Sequence, residues 1–308
     1  MKPTALVTGA TGFLGGHLVR ALRDAGFPVV AWMRGASAQA DDPGLRREPW
    51  PSIEMLPPAI ERLQRPIVYH LAAAADRRES DPAALFESNI RLTAELVAAC
   101  ARAGVSGFVH AGSSNEYGPA PVGVPIRENA ALAATDLYGA SKAAAGLWAQ
   151  AVARDAGLGF AWARPFALYG PGLRPPRLLP VVHAALRQNR PIDLAPGAQM
   201  QDWVYVGDAA GGLLRLGEFA RQGGQGVFNL CTGRPQTNRE LATAMAQRMG
   251  ADPALLRFGA LPARANEPPW LVGDPAAARE LGWTAMTDLA TGLDATIAAF
   301  DRQARGAA

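Results

Sequence analysis

The chain is 308 residues long, 49% of its residues are hydrophobic and 19% are charged, a balance that excludes a disordered protein. Its formal net charge is +3, from 30 basic and 27 acidic side chains without a lysine and arginine block, which disfavours nucleic acid as a partner. Cys100 and Cys231 lie too far apart in sequence to suggest a disulfide framework, and charged residues, Gly or Pro interrupt every apolar run, so we predict a cytoplasmic protein without a membrane span.

The first half of the chain alternates short apolar runs with longer helical patterns. This alternation is typical of an α/β protein with a parallel sheet covered on both faces, and right-handed connections make such a sheet doubly wound. We predict strands at residues 5–8, 29–33, 67–71, 107–111 and 160–163, and helices at residues 12–25, 57–64, 82–103 and 136–156.

The turn after the first predicted strand is rich in glycine, in the stretch TGATGFLGG that begins at Thr8. The first glycine permits a tight turn, the second lets the backbone approach a pyrophosphate, and the third lets helix and strand pack closely. The start of the following helix adds free N–H groups and a positive potential. The sequence therefore predicts a dinucleotide site of the Rossmann type at Gly9, Gly12, Phe13, Leu14 and Gly15.

The second predicted strand ends without an acidic residue and is followed directly by Arg34. An acid at this point commonly binds the ribose hydroxyls of NAD, whereas an arginine can pair with the 2′-phosphate of NADP. We therefore predict NADP as the cofactor and keep NAD open, since Arg34 can also be an exposed loop charge.

Tyr138 and Lys142 lie four residues apart in the stretch YGASK, so on a helix their side chains share one face. An ammonium beside a phenol favours the phenolate and lowers the pKa of the tyrosine toward neutrality, which suits it to exchange a proton with an alcohol or a carbonyl. Ser113 follows the strand predicted at 107–111, at the edge where open α/β sheets bind ligands, and its hydroxyl can bind the reacting oxygen. The sequence predicts that these three residues are catalytic.

The pattern changes after about residue 170, where repeated prolines exclude a single regular element. Further strands are predicted at 203–206 and 227–230, helices at 208–219 and 238–249, and a mixed segment at 274–300. We predict a dinucleotide-binding domain over residues 1–170 and a smaller, mixed substrate-binding portion over residues 171–308. Residues of about 201–230 are expected to return to the core of the first domain.

Five motifs in this order resemble the extended short-chain dehydrogenase/reductases, and among them the sugar-nucleotide epimerases, dehydratases and 4-keto reductases. The motifs are TGATGFLGG, HLAAAA, GSSNEYG, YGASK and RPFALYGPG. The resemblance implies that Tyr138 is the acid and base, that Lys142 also binds the nicotinamide ribose, and that the substrate is a nucleotide-linked sugar. It further implies dinucleotide contacts at Leu71, Ala72, Ala73, Asn89, Pro165 and Phe166, and substrate contacts at Ser114 and Asn115.

One departure from that family concerns the substrate diphosphate. Gln201 stands where the family often carries an arginine before the Asp of a DWVYV-like strand. A guanidinium binds two phosphate oxygens at once, so we predict that Arg264 takes over, with Arg177 and Arg174 as weaker candidates. Each of the three arginines can also be an exposed charge.

A second departure concerns the reaction. Dehydratases of the family carry an adjacent Asp-Glu pair where this chain has Ser114 and Asn115, with Glu116 one residue late, so a 4,6-dehydratase is disfavoured. Glu116 is as well suited to a role in the turn as to a sugar contact. The sequence favours NADPH-dependent reduction of a 4-keto sugar nucleotide, and an NAD-dependent sugar-nucleotide epimerase is the alternative.

Other classes of function find less support in the sequence. The four histidines have no metal-ligand spacing, so no metal is predicted, and GSSNE lacks the last glycine of a serine-hydrolase elbow. A non-catalytic dinucleotide-binding regulator stays open as an alternative from another class. The resemblance also implies a homodimer, in which the helices at 82–103 and 136–156 of two copies form a four-helix contact.

Overall fold

The computed structural model describes residues 2–33, 44–74, 81–263 and 267–306. Its strands and helices alternate along the first half of the chain, as the sequence pattern predicts. The strands are β1 (Ala5–Thr8), β2 (Val29–Met33), β3 (Leu45–Pro49), β4 (Ile67–His70), β5 (Gly107–Ala111), β6 (Phe160–Pro165), β7 (Ala167–Tyr169), β8 (Ile192–Leu194), β9 (Met200–Tyr205), β10 (Gln225–Leu230), β11 (Pro235–Thr237), β12 (Leu256–Phe258) and β13 (Trp270–Leu271). The helices are α1 (Phe13–Asp24), α2 (Leu56–Glu61), α3 (Pro82–Leu85), α4 (Leu92–Ala103), α5 (Leu137–Asp155), α6 (Leu178–Arg187), α7 (Val206–Arg221), α8 (Asn238–Arg248), α9 (Ala276–Glu280) and α10 (Leu289–Gly306).

A seven-stranded sheet in the order β3-β2-β1-β4-β5-β6-β10 forms the centre of the fold, and all of its neighbouring strands are parallel. Chain order reverses between β1 and β4, which makes the sheet doubly wound and confirms the predicted fold class. In such a sheet the ligand lies beyond the carboxyl ends of the strands at the point of reversal. The glycine turn after β1 and the segment after β4 meet there.

Apolar side chains of the helices cover both faces of this sheet. Helices α1 and α7 pack on one face through residues such as Leu18, Leu22 and Leu213. Helices α2, α4 and α5 pack on the other, where Leu96 and Ala149 are fully buried. Because both faces are covered, the central strands are continuous apolar runs, which is why the sequence pattern located them.

The C-terminal portion adds two smaller sheets. Strand β9 pairs with β7, β11 and β13, and β12 pairs with β8, while α6, α8 and α10 share a separate apolar core. Strand β10 returns to the main sheet beside β6, and α7 packs against α1. Residues of about 201–230 were expected to return to the core of the first domain. Helix α7 packs on the main sheet and β10 lies in it, whereas β9 belongs to a smaller sheet. A domain division near residue 170 stays a prediction.

Several elements were not predicted from the sequence, among them β3, α6 and the short strands β7, β8, β11, β12 and β13. Strand β3 has the sequence LRREP and pairs with β2 at the edge of the sheet, where charged side chains reach solvent. Helix α6 lies in the proline-rich stretch and holds Pro180 in its first turn, where a missing N–H costs no hydrogen bond. Both cysteines are buried as free thiols, and no described helix has the length and apolarity that a bilayer crossing requires.

Candidate active site

The glycine turn after β1 is shaped to bring the backbone close to a ligand. Gly9 has a φ of +72°, and a Cβ on it would lie 2.7 Å from the amide nitrogen of Ala72, which follows β4. A Cβ on Gly15 would lie 2.1 Å from the carbonyl oxygen of Gly9, so the helix and the turn need glycine to pack. Gly12 precedes the first residue of α1 and leaves the helix N–H groups uncapped by any side chain. These features fit a dinucleotide pyrophosphate.

The segment after β4 is tied to α5 by Asn89. Its Oδ1 accepts the N–H of Ala74 at 2.7 Å, and its Nδ2 donates to the carbonyl oxygen of Ala74 at 3.2 Å and to Oγ of Ser141 at 2.9 Å. The Asn89 side chain is buried within π-helical turns at Phe86–Arg91. The resemblance placed Asn89 among the cofactor contacts; in the structure it lies behind the cleft and holds the segment that lines it.

Ser113 begins a tight 3₁₀ turn after β5. Its Oγ accepts the N–H of Asn115 at 3.2 Å, and its own N–H donates to Oε1 of Glu116 at 2.8 Å, which completes a capping box. Ser114 is buried in the same turn. The Glu116 carboxylate therefore points into the protein, and the structure gives it the turn role rather than the sugar contact.

Tyr138 and Lys142 lie in the first two turns of α5 and line one cleft, as their spacing predicts. Oδ1 of Asp136 caps this helix by accepting the N–H of Gly139 at 2.6 Å. A Cβ on Gly139 would lie 2.4 Å from the carbonyl oxygen of Asn115, so the helix start packs directly on the Ser113 turn. That packing brings the Ser113 hydroxyl within hydrogen-bonding reach of the Tyr138 phenol.

The electrostatics of this group differ from the prediction in one respect. Burial raises the pKa of Tyr138, the Glu116 carboxylate raises it further, and the Ser113 hydroxyl and Arg177 guanidinium act in the opposite direction. The expectation that Lys142 brings the pKa of Tyr138 toward neutrality is therefore wrong. Burial lowers the pKa of Lys142 to about 8, and Glu116 opposes that change. Burial thus disfavours the charged form of each group, the Tyr138 phenolate and the Lys142 ammonium.

One cleft of about 2230 Å³ brings most of the predicted residues together. Its walls include the glycine turn, the segment after β4, the Ser113 turn, the start of α5 and the end of β6. Of the predicted residues it contains Gly9, Gly12, Phe13, Leu14, Gly15, Leu71, Ala72, Ala73, Ser113, Ser114, Asn115, Tyr138, Lys142, Pro165, Phe166, Arg174, Arg177 and Gln201. Arg34 and Arg264 lie outside the described residues, so the structure gives no position for either.

Other residues that line the cleft were not predicted from the sequence. Trp32 at the end of β2 and Trp50 after β3 line it beyond the glycine turn, with ring centroids 5.7 Å apart. At the other end lie three buried polar atoms without a partner among the described residues: Oε1 of Gln199, Nε1 of Trp203 and Oδ1 of Asn238. A buried polar atom without a partner is costly, so this end suits a polar ligand. In the sequence, the polar residues and the Trp around the DWVYV strand could have indicated this end of the cleft.

Comparisons with known proteins agree with this geometry. The family model described as "NAD dependent epimerase/dehydratase family" matches residues 5–231. The chain is 30% identical to a dTDP-glucose 4,6-dehydratase of Streptomyces griseus, over 98% of this chain and 95% of that protein. It is also 30% identical to a UDP-glucose 4-epimerase of Azospirillum brasilense, over 98% and 92% of the two chains. The solved structure of MoeE5 in complex with UDP-glucuronic acid and NAD superposes with a TM-score of 0.85 at 32% identity, covering 98% and 99%.

Proposed function

The chain belongs to the NAD dependent epimerase/dehydratase family, and we propose that it epimerises a nucleotide-linked sugar with an NAD that stays bound throughout the cycle. Family membership makes the protein an enzyme of the extended short-chain dehydrogenase/reductase type. It thereby removes the support for a non-catalytic dinucleotide-binding regulator.

The position of Glu116 carries the choice of epimerisation over dehydration. Elimination of water from the sugar needs a carboxylic acid and a base beside the reacting carbons. Here the two residues after Ser113 are Ser114 and Asn115, and the carboxylate that follows is fully buried beneath the turn. The similarity to a dehydratase therefore supports the shared oxidation step and not the elimination.

The size of the cleft supports two ligands at once. A typical small-molecule pocket has a volume of about 300–1,000 Å³, and this cleft has about 2230 Å³. We propose that the dinucleotide occupies the end with the glycine turn and that the nucleotide-sugar occupies the end with Gln199 and Trp203. Arg177 and Gln201, which line the second end, are our candidates for the diphosphate contacts.

In the proposed reaction the chain supplies binding and proton transfer. The glycine turn and the segment after β4 would hold NAD, which would supply reversible hydride transfer at the carbon that bears the sugar hydroxyl. Tyr138 accepts the hydroxyl proton and gives it back on the return step. The Ser113 hydroxyl, within reach of that phenol, holds the same oxygen and acts to lower the pKa of Tyr138, and Lys142 is our candidate for binding the nicotinamide ribose.

NADPH-dependent reduction of a 4-keto sugar nucleotide is the second candidate. The observation that favours it is the absence of an acid at the end of β2, where Arg34 follows in the sequence. The solved relative with UDP-glucuronic acid contains NAD, which supports the first candidate.

We also propose a homodimer built from two copies of α4 and α5. These helices pack side by side, and three large apolar side chains on or beside them, Phe86, Leu147 and Trp148, are about half exposed. A two-fold axis between two such pairs would bury these side chains in a four-helix contact.

The test is to denature the purified protein and identify the released dinucleotide by mass spectrometry. Untreated protein is then incubated, without added cofactor, with UDP-glucose, UDP-glucuronic acid and dTDP-glucose, and the products are separated by chromatography. We expect NAD and conversion of one sugar to its epimer. A parallel incubation receives NADPH and a 4-keto sugar nucleotide, and consumption of NADPH there would favour the second candidate. Loss of water from any of the sugars would overturn both.

A further inference from the structure

Glu116 is held beneath the Ser113 turn entirely by hydrogen-bond donors. Oε1 accepts the N–H of Ser113 at 2.8 Å and Nε1–H of Trp162 at 3.4 Å, and Oε2 accepts Nε–H of Arg164 at 2.7 Å. A protonated carboxyl would turn its own hydrogen toward one of these donors. Burial raises the pKa of Glu116 to about 7, although Arg164 and the other donors oppose that change, and above this pH the carboxylate form satisfies all three donors.

Arg164 is in turn locked in place. Its Nη1 donates to the Tyr117 hydroxyl at 2.9 Å and to the carbonyl oxygen of Glu128 at 3.0 Å, and its guanidinium lies 4.1 Å from the centroid of the Trp162 ring. Arg164 is 3% exposed and Glu116 is 0% exposed. Burying such a pair costs folding free energy unless its geometry and hydrogen bonds compensate, so stability alone does not account for this charge.

The absence of a side chain at Gly112 leaves room for the Glu116 carboxylate. A Cβ on Gly112 would lie 2.3 Å from both Oε1 of Glu116 and Nε1 of Trp162. Glycine at this position, directly before Ser113, is therefore required for the contact between the carboxylate and the Ser113 N–H.

The charge of Glu116 acts on both titratable groups of the candidate site. It raises the pKa of Lys142 against the effect of burial, and together with Asp136 it raises the pKa of Tyr138. The other titratable or charged groups that face the three residues are Arg164 from β6, Arg177 from the start of α6, Tyr117 from the turn, and His70 and His110 from β4 and β5, whose pKa values burial lowers.

We propose that Glu116 is a positioning residue for the epimerisation proposed above: it fixes the backbone of Ser113 and holds a negative charge beneath Tyr138 and Lys142 without touching the substrate. The tests of this role that measure turnover rest on the proposed function, and the others do not. The contacts that define it belong to the protein itself.

The charge has a directional consequence for pH dependence. A nearby carboxylate stabilises the protonated forms of both Tyr138 and Lys142, and so raises both pKa values. Glu116→Gln removes that effect, and both apparent pKa values of the pair fall. The pH profile of kcat should therefore move as a whole to lower pH, by about one unit, with kcat reduced at its optimum. A defect in packing alone would lower kcat and leave the two midpoints in place.

Glu128→Gln is the matched control. Glu128 is half-buried in the same network and accepts the N–H of Asn229 at 2.9 Å, but it is not among the charges that act on Tyr138 or Lys142. Its pH profile should match that of the parent. Glu116→Asp keeps the charge with a shorter reach, and should keep the midpoints while kcat falls.

Two further measurements keep the inference testable on its own. If Glu116→Gln leaves Arg164 unpaired and fails to fold, the double variant Glu116→Gln/Arg164→Gln removes both charges, and the same downward shift is expected. In the cofactor-free protein, ultraviolet absorbance follows ionisation of Tyr138, with Tyr138→Phe as the blank, and Glu116→Gln should lower its midpoint.

The outcomes separate the two proposals. An inactive parent whose Tyr138 midpoint still falls in Glu116→Gln would contradict the epimerase function and support the role of Glu116. An active parent with unchanged midpoints in Glu116→Gln, by turnover and by absorbance, would overturn the role of Glu116 and leave the function standing.

Discussion

Nδ2 of Asn89 donates a hydrogen bond to Oγ of Ser141, which lies between Tyr138 and Lys142 on α5. The same Ser141 hydroxyl donates to the carbonyl oxygen of Tyr138 at 2.8 Å. Through its other bonds, to the backbone of Ala74, Asn89 joins the dinucleotide end of the cleft to the helix that carries the candidate catalytic pair.

Replacement of Asn89 by Ala should therefore weaken both the fold and dinucleotide binding. It leaves the half-buried N–H of Ala74 without its acceptor and removes the bond that Ser141 accepts, at about 1–3 kcal/mol of unfolding free energy. We expect Kd for NAD to rise several-fold because the segment after β4 loses its anchor. Urea unfolding and NAD titration measure the two effects. Ser141→Ala, which removes one of these bonds, is the control and should fall between Asn89→Ala and the parent.

Gly112→Ala should damage the site through the Glu116 carboxylate. The added methyl would lie 2.3 Å from Oε1 of Glu116, and overpacking of this kind costs about 1–3 kcal/mol. We expect lower stability together with lower kcat. The matched control is Gly211→Ala in α7, where a Cβ meets nothing within 4 Å and Ala should stabilise the helix slightly. Equal stability of the two variants in denaturant unfolding would contradict the packing argument.

Lys142→Met should stabilise the cofactor-free protein while abolishing turnover. Lys142 is 3% exposed and burial lowers its pKa to about 8 from a model-peptide value near 10.5, so its charged form is disfavoured in the fold. The folded state then binds fewer protons than the unfolded state between these two pH values, and the parent gains stability as pH rises through that window.

The penalty is present in full below about pH 8 and amounts to about 3 kcal/mol. Urea unfolding without added cofactor should give the variant a higher free energy of unfolding than the parent at pH 7. That difference should become smaller toward pH 10. A difference that does not change with pH would mean that Lys142 is not charged at a cost in the folded protein.

The dimer proposal predicts a change of oligomeric state on substitution of one aromatic residue. Trp148 is 56% exposed on α5, and Trp148→Asp would place a charge in the proposed four-helix contact. Light scattering coupled to size exclusion should show a dimer for the parent and a monomer for this variant. Met286→Asp is the control, because Met286 is 82% exposed and lies outside the two helices. A parent that elutes as a monomer would refute the proposal.

The sequence located those parts of the fold whose residues are buried on both sides or carry a motif. Strands β1, β2 and β5 were predicted at their observed bounds because a covered parallel strand is a continuous apolar run. Strand β3, at an edge with exposed charges, has no such signature. The pairing of β9 with β7, β11 and β13 depends on contacts between distant segments, which a local pattern does not contain.

The candidate site divides in the same way. Gly9, Ser113, Tyr138 and Lys142 belong to short stretches whose spacing expresses their chemistry, so the sequence pointed to them. The direction of the Glu116 side chain was not predictable, because it depends on two residues of β6 that reach it across the sheet. The raised pKa of Tyr138 was missed because spacing shows its neighbours and not its burial.

The most direct test of the central claim, that one retained NAD removes and returns the same hydride, uses a nucleotide-sugar deuterated at the carbon to be inverted. The protein is incubated with it in ordinary water without added cofactor, and the product is examined by NMR. We expect an epimer that keeps its deuterium at that carbon, formed by the parent and not by Tyr138→Phe. An epimer that has exchanged its deuterium for solvent hydrogen would contradict the claim.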